Sequence, residues 1–560
     1  MKLFAFVTFA ALGSLLVHAQ SARPDTSHGE WLTWGGTIDR TGWNRTESAL
    51  SKTSVGRLEL KWKTQIDKTV SIEVESGASM LTAPLVAQRV PTPQGAKALV
   101  YTLAASNTLA ALDAATGTSV WQTTFENNVA PKNEANWVCT NTPTATPVID
   151  RARGIIYALA GDGRLHTVDM ATGQDKGEPI PFVPAFSRNW SLNLVDGVIY
   201  TTVGRGCGNP PATQPAPPPP APGQRAPRVA VASHMVAMDL NDPAKPIARF
   251  YTNPSRPSGA WARGGMAWAF DSLFVLTADG EWDLAKGQRG QSLLRLRPKT
   301  LEAMDYFTPA NLDEINEKDL DYASGGVVGF TYQNRDFVVS AGKEGVVYLH
   351  DAKALGGADH RTPLFSIRAG NDIGLYASTG VWGVPSTFVN ARGERWVYVP
   401  VWGPPSAKTP FAHTNGDAAH GSIVAFQVVI DSGAPKLVPK WVSRDLDVPD
   451  SPVIANGIVY AISTGENTLQ RHTDPRYQAL YKGPDGQAPP KTGVLTAVER
   501  GQHTSHATLY ALDAETGQEL YSSGDQIDDW THLSSITVID GHVYLTTRKS
   551  YVYAFGLKKK

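Results

Sequence analysis

The sequence contains only two cysteines, Cys139 and Cys207, in 560 residues. No CxxC or CxxCH motif is therefore present, which excludes a covalently attached c-type haem and a thiolate zinc site. Charged residues make up only 18% and the formal net charge is −1, so the basic excess typical of nucleic-acid-binding proteins is absent. Beyond the N-terminal segment no apolar run is long enough to span a bilayer, which excludes a polytopic membrane protein.

The first residues have the pattern of a secretory signal peptide. Lys2 precedes an apolar stretch over residues 3–17, and the small residue Ala19 stands at the expected cleavage point. The alternative interpretation is an N-terminal membrane anchor, for which the apolar stretch is short. We therefore predict a signal peptide over residues 1–19, a periplasmic or secreted chain with no stable membrane span after its removal, and a single domain over residues 20–560.

What the sequence does contain is a recurring unit rich in turns and β-forming residues. The clearest copy has apolar or aromatic segments at residues 147–150, 155–159 and 165–169, separated by short turns. Each clear copy ends in an Asp-x-Ala/Glu-Thr-Gly phrase, which begins at Asp113, Asp169 or Asp513 and in which Asp and Gly favour a tight turn. Three strands and a fourth after this turn predict a four-stranded antiparallel unit.

Eight such units begin near residues 80, 140, 189, 263, 325, 379, 449 and 530. The eighth lacks a fourth strand, while an unassigned strand at residues 58–63 precedes the first unit. An N-terminal strand that completes the last unit would close the ring and leave no exposed sheet edge. The sequence thus predicts an all-β fold, an eight-bladed β-propeller closed by an N-terminal strand.

These units resemble the pyrroloquinoline-quinone (PQQ) repeat, and the chain is similar to the quinoprotein alcohol dehydrogenases. The resemblance is carried by the repeated turn phrase and by segments such as 34–44, 305–309, 319–322 and 341–345. It covers the whole mature chain and implies a PQQ-type propeller. The same repeat also occurs in propellers that bind no PQQ, so it indicates the fold more strongly than the cofactor.

Blade topology predicts which residues share a face. Loops that lead into an inner strand, and loops between the second and third strands, lie on the same side of a propeller. This side receives Asp279, Asp319, Asp321 and Lys343, and also Trp261, Trp382, Trp530 and the longest insertions. Insertions on one face usually mark the binding face of a repeat array. Cys139 and Cys207 fall on this side in neighbouring blades, which favours a disulfide over two free thiols.

Oxidation of an alcohol with PQQ needs a base for the hydroxyl, a divalent cation and a cationic donor to the quinone oxygens. The resemblance implies Asp321 as the base, with Asp319 as the alternative, and Lys343 as the donor. Asp279 is the candidate Ca²⁺ ligand. Trp261, Trp382 and Trp530 are candidates to contact the planar cofactor. Each residue also has an ordinary structural interpretation, namely turn formation for Asp and Lys and packing between blades for Trp.

Two functions remain open at this point. The first is an exported enzyme that oxidises an alcohol or sugar-like hydroxyl substrate with PQQ and Ca²⁺ and passes electrons to a separate acceptor, and this hypothesis is favoured. The alternative is a non-catalytic propeller that binds a protein or polysaccharide. The alternative is supported by two departures from the dehydrogenases, because Cys139 has no adjacent cysteine and Leu81-Thr82-Ala83 precedes Pro84 where a Glu is usual.

Overall fold

The computed structural model describes residues 29–68, 81–131, 141–206, 214, 231–253, 259–261, 263–469, 495 and 503–558. The predicted signal peptide lies outside these residues, as do Cys139 and Cys207, so export and the disulfide stay predictions. Across the described ranges, no helix is both long enough and apolar enough to cross a membrane.

The described residues form eight antiparallel blades, in each of which the innermost strand comes first. Blade 1 consists of Leu85–Thr92, Gly95–Leu103, Thr108–Asp113 and Ser119–Thr124, and blade 2 of Val148–Asp150, Ile155–Leu159, Arg164–Asp169 and Ile180–Pro181. Blade 3 consists of Ser187–Asn189 with Asn193–Val195, Val198–Gly206, His234–Asp239 and Ala248–Tyr251, and blade 4 of Ala267–Ala269, Ser272–Leu276, Leu293–Leu296 and Ala303–Phe307.

The next four blades continue in the same order around the ring. Blade 5 consists of Gly326–Tyr332, Arg335–Ala341, Val346–Asp351 and Phe365–Arg368, and blade 6 of Gly380–Val381 with Ser386–Val389, Arg395–Trp402, Gly421–Asp431 and Ala434–Val442. Blade 7 consists of Val453–Ala455, Ile458–Ser463, Thr508–Asp513 and Glu519–Ser522, and blade 8 of Ile536–Ile539, His542–Thr546, Tyr551–Leu557 and Leu58–Gln65. The remaining elements are short: strands Trp43–Asn44, Trp282–Asp283, Gln288–Arg289 and His413–Thr414, helix Leu312–Glu317, and 3-10 turns Val55–Arg57, Leu284–Lys286, Tyr322–Ser324 and Gly357–Asp359.

The last blade confirms the predicted closure of the ring. Its outer strand, Leu58–Gln65, comes from the N-terminal part of the chain and pairs antiparallel with Tyr551–Leu557. The two ends of the propeller therefore share one sheet, and the edge that the final strand would expose is covered.

Neighbouring blades are joined at the repeated turn. The turn glycines have positive φ, and a Cβ atom at Gly117 would lie 2.5 Å from the ring of Trp62. Only glycine leaves room for an indole at this distance. The glycine of the turn phrase therefore allows the turn and also the packing of the preceding blade's tryptophan against it. The same arrangement recurs where Trp121 covers Gly173 and Trp441 covers Gly517.

A segment before the first blade runs around the inner rim of the ring. We call residues 31–44 the collar. Its backbone is hydrogen-bonded to inner strands of blades 1, 2, 4, 6 and 7, and side-chain bonds through Asn193 and Asn44 reach blades 3 and 8. The collar contacts the blades in the order in which they follow in the chain. It therefore ties the inner strands together from within the ring.

Arg40 holds the collar in its bent path. Its guanidinium is 1% exposed and donates to Thr33 Oγ1 at 2.6 Å, to the Trp34 carbonyl at 2.7 Å and to the Leu192 carbonyl at 2.9 Å. Burial lowers the pKa of Arg40 to about 9, although the nearby carboxylate of Asp39 opposes this shift. Arg40 thus satisfies three acceptors, one of which belongs to blade 3.

We expect Arg40→Met to lower the free energy of unfolding by roughly 2–4 kcal/mol, because buried acceptors lose a charged donor. Chemical denaturation of the purified protein measures this change. Arg45→Met is the matched control, since Arg45 lies on the next stretch of chain with its side chain 34% exposed. Equal stability of the two variants would contradict the role given to Arg40.

Candidate functional site

Six of the seven predicted site residues lie together on the side that blade topology indicated. Asp279 follows the second strand of blade 4, Asp319 and Asp321 lead into blade 5, and Lys343 follows the second strand of blade 5. Trp261 leads into blade 4, and Trp382 follows the first residues of blade 6. Trp530 leads into blade 8, where the guanidinium of Arg548 lies 5.7 Å from its ring centroid.

Lys343 and Asp321 form a buried ion pair at the centre of this group. Lys343 Nζ lies 2.5 Å from Asp321 Oδ2, and the two side chains are 4% and 3% exposed. Lys343 Nζ also donates to the Asp319 carbonyl at 3.1 Å. Burial by itself lowers the pKa of Lys343. The carboxylates of Asp321, Asp319 and Asp279 raise this pKa by more than burial lowers it, so the pKa lies above the ordinary value for lysine. The lysine is therefore an ammonium ion at neutral pH.

Aromatic rings surround this ammonium ion. Lys343 Nζ lies 4.9 Å from the ring centroid of Trp382, 5.4 Å from that of Trp261 and 5.7 Å from that of Tyr376. These distances are those of cation–π contacts. The rings of Trp261 and Trp382 have centroids 6.4 Å apart and planes tilted by 55°, so they do not form two parallel walls around a flat ligand.

The local sequence explains why the lysine reaches Asp321. Gly342 lies so close to the backbone of the adjacent loop that a Cβ atom there would be 2.5 Å from the Tyr322 carbonyl oxygen. The Lys343 N–H then donates to the Asp321 carbonyl at 3.0 Å, and the Val381 N–H donates to the Gly342 carbonyl at 3.0 Å. Glycine before the lysine thus joins the loops of blades 5 and 6.

Asp319 and Asp279 contact the Lys343–Asp321 pair in different ways. The Asp319 side chain is 52% exposed, and its carboxylate lies 3.6 Å from Lys343 Nζ. Asp279 donates its backbone N–H to Asp321 Oδ1 at 3.1 Å. Both oxygens of Asp321 are therefore engaged, whereas Asp319 presents a carboxylate that solvent reaches.

The described residues can be compared with the ligand set that a metal ion needs. Ca²⁺ takes about six to eight oxygen ligands. Among the residues that the structure describes, no group of three or more His, Cys, Asp or Glu side chains is arranged to hold a metal ion. Lys343 is the cation that Asp321 faces, and the role of Asp279 as a Ca²⁺ ligand stays a prediction.

A cavity on the propeller axis adjoins this group. The space in it that water-sized groups can occupy is about 30 Å³. Its wall comes from residues just before the inner strands of six blades and from one collar residue: Ala83, Thr144, Ser191, Arg263, Ser451, Leu533 and Trp34. The guanidinium of Arg263 lies 5.8 Å from the ring centroid of Trp382, which also contacts Lys343. We call this space the axial cavity.

Sequence reasoning missed three residues of the axial cavity, namely Arg263, Trp190 and Trp34. Arg263 is 7% exposed and lies against both Trp190 and Trp382. The signal for Arg263 was its position between Trp261 and the pair Gly264-Gly265, since two glycines before an inner strand leave room for another side chain.

The described blades define the class of fold, an eight-bladed β-propeller, and the chain is similar to PQQ-repeat proteins and to quinoprotein alcohol dehydrogenases. A sequence model of a PQQ-repeat family, described as outer membrane protein assembly factor BamB, matches residues 56–179.

Individual relatives give the same result. The dehydrogenase subunit of the quinone-type alcohol dehydrogenase of Komagataeibacter europaeus is 23% identical, over 91% of this chain and 69% of that protein. The quinohemoprotein alcohol dehydrogenase of Comamonas testosteroni is 14% identical with a TM-score of 0.54, over 96% of this chain and 82% of that one. A europium-containing methanol dehydrogenase is 13% identical with a TM-score of 0.58, over 95% and 99%. The two solved structures establish the fold.

The burial of the Lys343–Asp321 pair predicts that loss of one partner destabilises the protein. Lys343→Met should lower the free energy of unfolding by about 3–5 kcal/mol, because Asp321 is left as a buried carboxylate without its partner. The double variant Lys343→Met/Asp321→Leu should recover part of this loss. Urea denaturation measures both variants.

Lys318→Met is the control, since Lys318 pairs with Glu314 on the surface of the short helix. This variant should leave the unfolding midpoint nearly unchanged. A loss for Lys343→Met no larger than that of Lys318→Met would show that the pair is not buried as described.

Proposed function

We propose that this protein is an exported oxidoreductase of the quinoprotein type, which oxidises an alcohol or sugar-like hydroxyl substrate with PQQ and passes the electrons to a separate acceptor. The observation that carries the proposal is the buried Lys343–Asp321 pair among aromatic rings, next to an axial cavity that contains Arg263. The relatives support the reaction class, because they are named quinone-type alcohol dehydrogenases.

The donors in and beside the cavity fit the chemistry of PQQ, a flat tricyclic quinone with three carboxylates. Arg263 lines the cavity and would bind a carboxylate, whereas the hydroxyls of Thr144 and Ser191 already donate to the carbonyls of Asn189 and Arg263. An ammonium ion has three N–H groups, and two of those of Lys343 are used by Asp321 and the Asp319 carbonyl. The remaining group would donate to a quinone oxygen.

Bound PQQ would supply the acceptor for the two electrons that leave the substrate carbon. The chain's own part is to remove the hydroxyl proton and to keep the positive charge of Lys343 beside the electron acceptor. Asp319 is favoured over Asp321 as the base, because its carboxylate is half exposed while both oxygens of Asp321 are already bonded. Asp321 then serves to hold Lys343 in place.

A Ca²⁺ ion at Asp279 stays a prediction, and no step of this scheme depends on it. Export rests on the N-terminal signal pattern alone. The separate electron acceptor rests on the absence of a haem-attachment motif from the sequence.

The proposal is tested by turnover of purified protein reconstituted with PQQ, with a panel of alcohols and sugars and an artificial dye as electron acceptor. We expect turnover that depends on added PQQ, and a fall in kcat of about 100-fold for Asp319→Asn, because the base is lost. Glu317→Gln is the matched control, since Glu317 is an exposed carboxylate at the end of the short helix before Asp319.

Wild-type turnover that is unaffected by the presence of PQQ would contradict the proposal. A complete lack of PQQ-dependent turnover, together with an unfolding temperature that does not rise at saturating PQQ, would favour the alternative of a binding module, because a ligand of the folded state must stabilise it.

A further inference from the structure

A short helix, Leu312–Glu317, lies in the connection from blade 4 to blade 5, directly before Asp319. Its residue Asn316 reaches back to blade 4 with its side chain. Asn316 Nδ2 donates to the Gly280 carbonyl at 3.0 Å, and Asn316 Oδ1 accepts from the Gly280 N–H at 3.3 Å. The amide thus binds both polar backbone groups of one residue, as in a hydrogen-bonded pair of antiparallel strands.

A second amide, that of Gln291, joins the same two loops. Gln291 is fully buried, its Nε2 donates to Asn316 Oδ1 at 3.1 Å, and its Oε1 accepts from the Tyr322 N–H at 2.8 Å. Its backbone N–H donates to the Ala278 carbonyl at 2.8 Å. Ala278 and Tyr322 are each the chain neighbour of a carboxylate at the site. The two amides therefore form a bridge between the loop that ends blade 4's second strand and the loop that leads into blade 5.

The carboxylates of the site lie at the ends of this bridge. The Asp279 N–H donates to Asp321 Oδ1 at 3.1 Å, and Asp321 Oδ2 lies 2.5 Å from Lys343 Nζ. The Asp319 N–H donates to the Asn316 carbonyl at 3.3 Å, while the Asp319 carbonyl accepts from Lys343 Nζ at 3.1 Å. The position of Asn316 thus determines where both aspartates of the blade 5 loop meet the ammonium ion.

We propose that Asn316 is a positioning residue for the oxidation, which holds the loop of Asp319 and Asp321 against the loop of Asp279. This inference rests on the proposed function, because it takes Asp319 as the base and Lys343 as the fixed charge. Asn316 acts through the backbone of the blade 4 loop and not on the reacting groups. Its position matters because a displacement of about 1 Å at a reacting group can lower the rate about 100-fold.

The first measurement is turnover of the protein reconstituted with PQQ, with the best substrate of the alcohol and sugar panel and the dye acceptor. Asn316→Ala should lower kcat about 10- to 100-fold, because the base is displaced from its working position. The KM for the substrate should stay within about threefold, because the groups that bind it remain. Asn316 is half-buried, so the shorter side chain leaves the hydrophobic core unchanged.

The second measurement is hydrogen–deuterium exchange of the protein without PQQ, which does not depend on activity. The backbone amides of Asp279 and Lys343 both donate to Asp321 and not to Asn316. In Asn316→Ala these two amides should exchange about two- to tenfold faster, because the loop that carries their acceptor is no longer held. A role confined to the local turn would change the exchange of the Gly280 amide alone.

Asn311→Ala is the matched control. Asn311 precedes the same helix, and its Nδ2 donates to Glu344 Oε1 at 2.9 Å instead of to blade 4. This variant loses a side-chain amide of the same kind but keeps the bridge to Gly280. Its kcat and the exchange of its Asp279 amide should therefore stay within about twofold of the wild-type values.

The outcomes separate this inference from the proposed function. If the wild-type protein shows PQQ-dependent turnover and Asn316→Ala has an unchanged kcat, the inference is wrong and the proposed function stands. Faster exchange at Gly280 alone, or equal losses of kcat in Asn316→Ala and Asn311→Ala, would also overturn it. If Asn316→Ala does not fold, Asn316→Asp takes its place with the same expectations, because it keeps the size of the side chain but lacks the donor to Gly280. A wild-type protein without PQQ-dependent turnover overturns both proposals.

Discussion

The structure depends on one topological constraint: a ring of blades must be closed by a chain that has two ends. The strand Leu58–Gln65 solves this by pairing with Tyr551–Leu557 in the last blade. The stretch just before it, the collar, is thereby held at the inner rim, where its backbone bonds to the inner strands. The same N-terminal segment therefore closes the ring and contributes Trp34 to the wall of the axial cavity.

Within the ring of blades, electrostatic interactions determine which kind of ligand the site favours. An ammonium ion that is 4% exposed is stable only if carboxylates and aromatic faces replace its hydration, and Lys343 has both. The loops of blades 4, 5 and 6 supply these groups because they end on the same side of the ring. A buried fixed charge beside a cavity is an arrangement that favours a ligand with electron-rich oxygens.

The sequence predicted the blades well because the signal for each blade is local. The turn phrase at Asp113, Asp169 and Asp513 specifies a strand pair without reference to the rest of the chain. Topology then sufficed to place Asp321 and Lys343 on one side. It could not supply their 2.5 Å separation, which depends on the close approach of Gly342 to Tyr322.

The contribution of the collar was beyond sequence reasoning for the same reason. Trp34 meets Gly264, and Arg40 meets Leu192, only after the ring has closed. The most direct test of the account is a crystal structure of the protein soaked with PQQ. We expect density for the flat cofactor beside Lys343, with Lys343 Nζ donating to one of its oxygens. PQQ bound elsewhere, or no density for PQQ at a saturating concentration, would contradict the account.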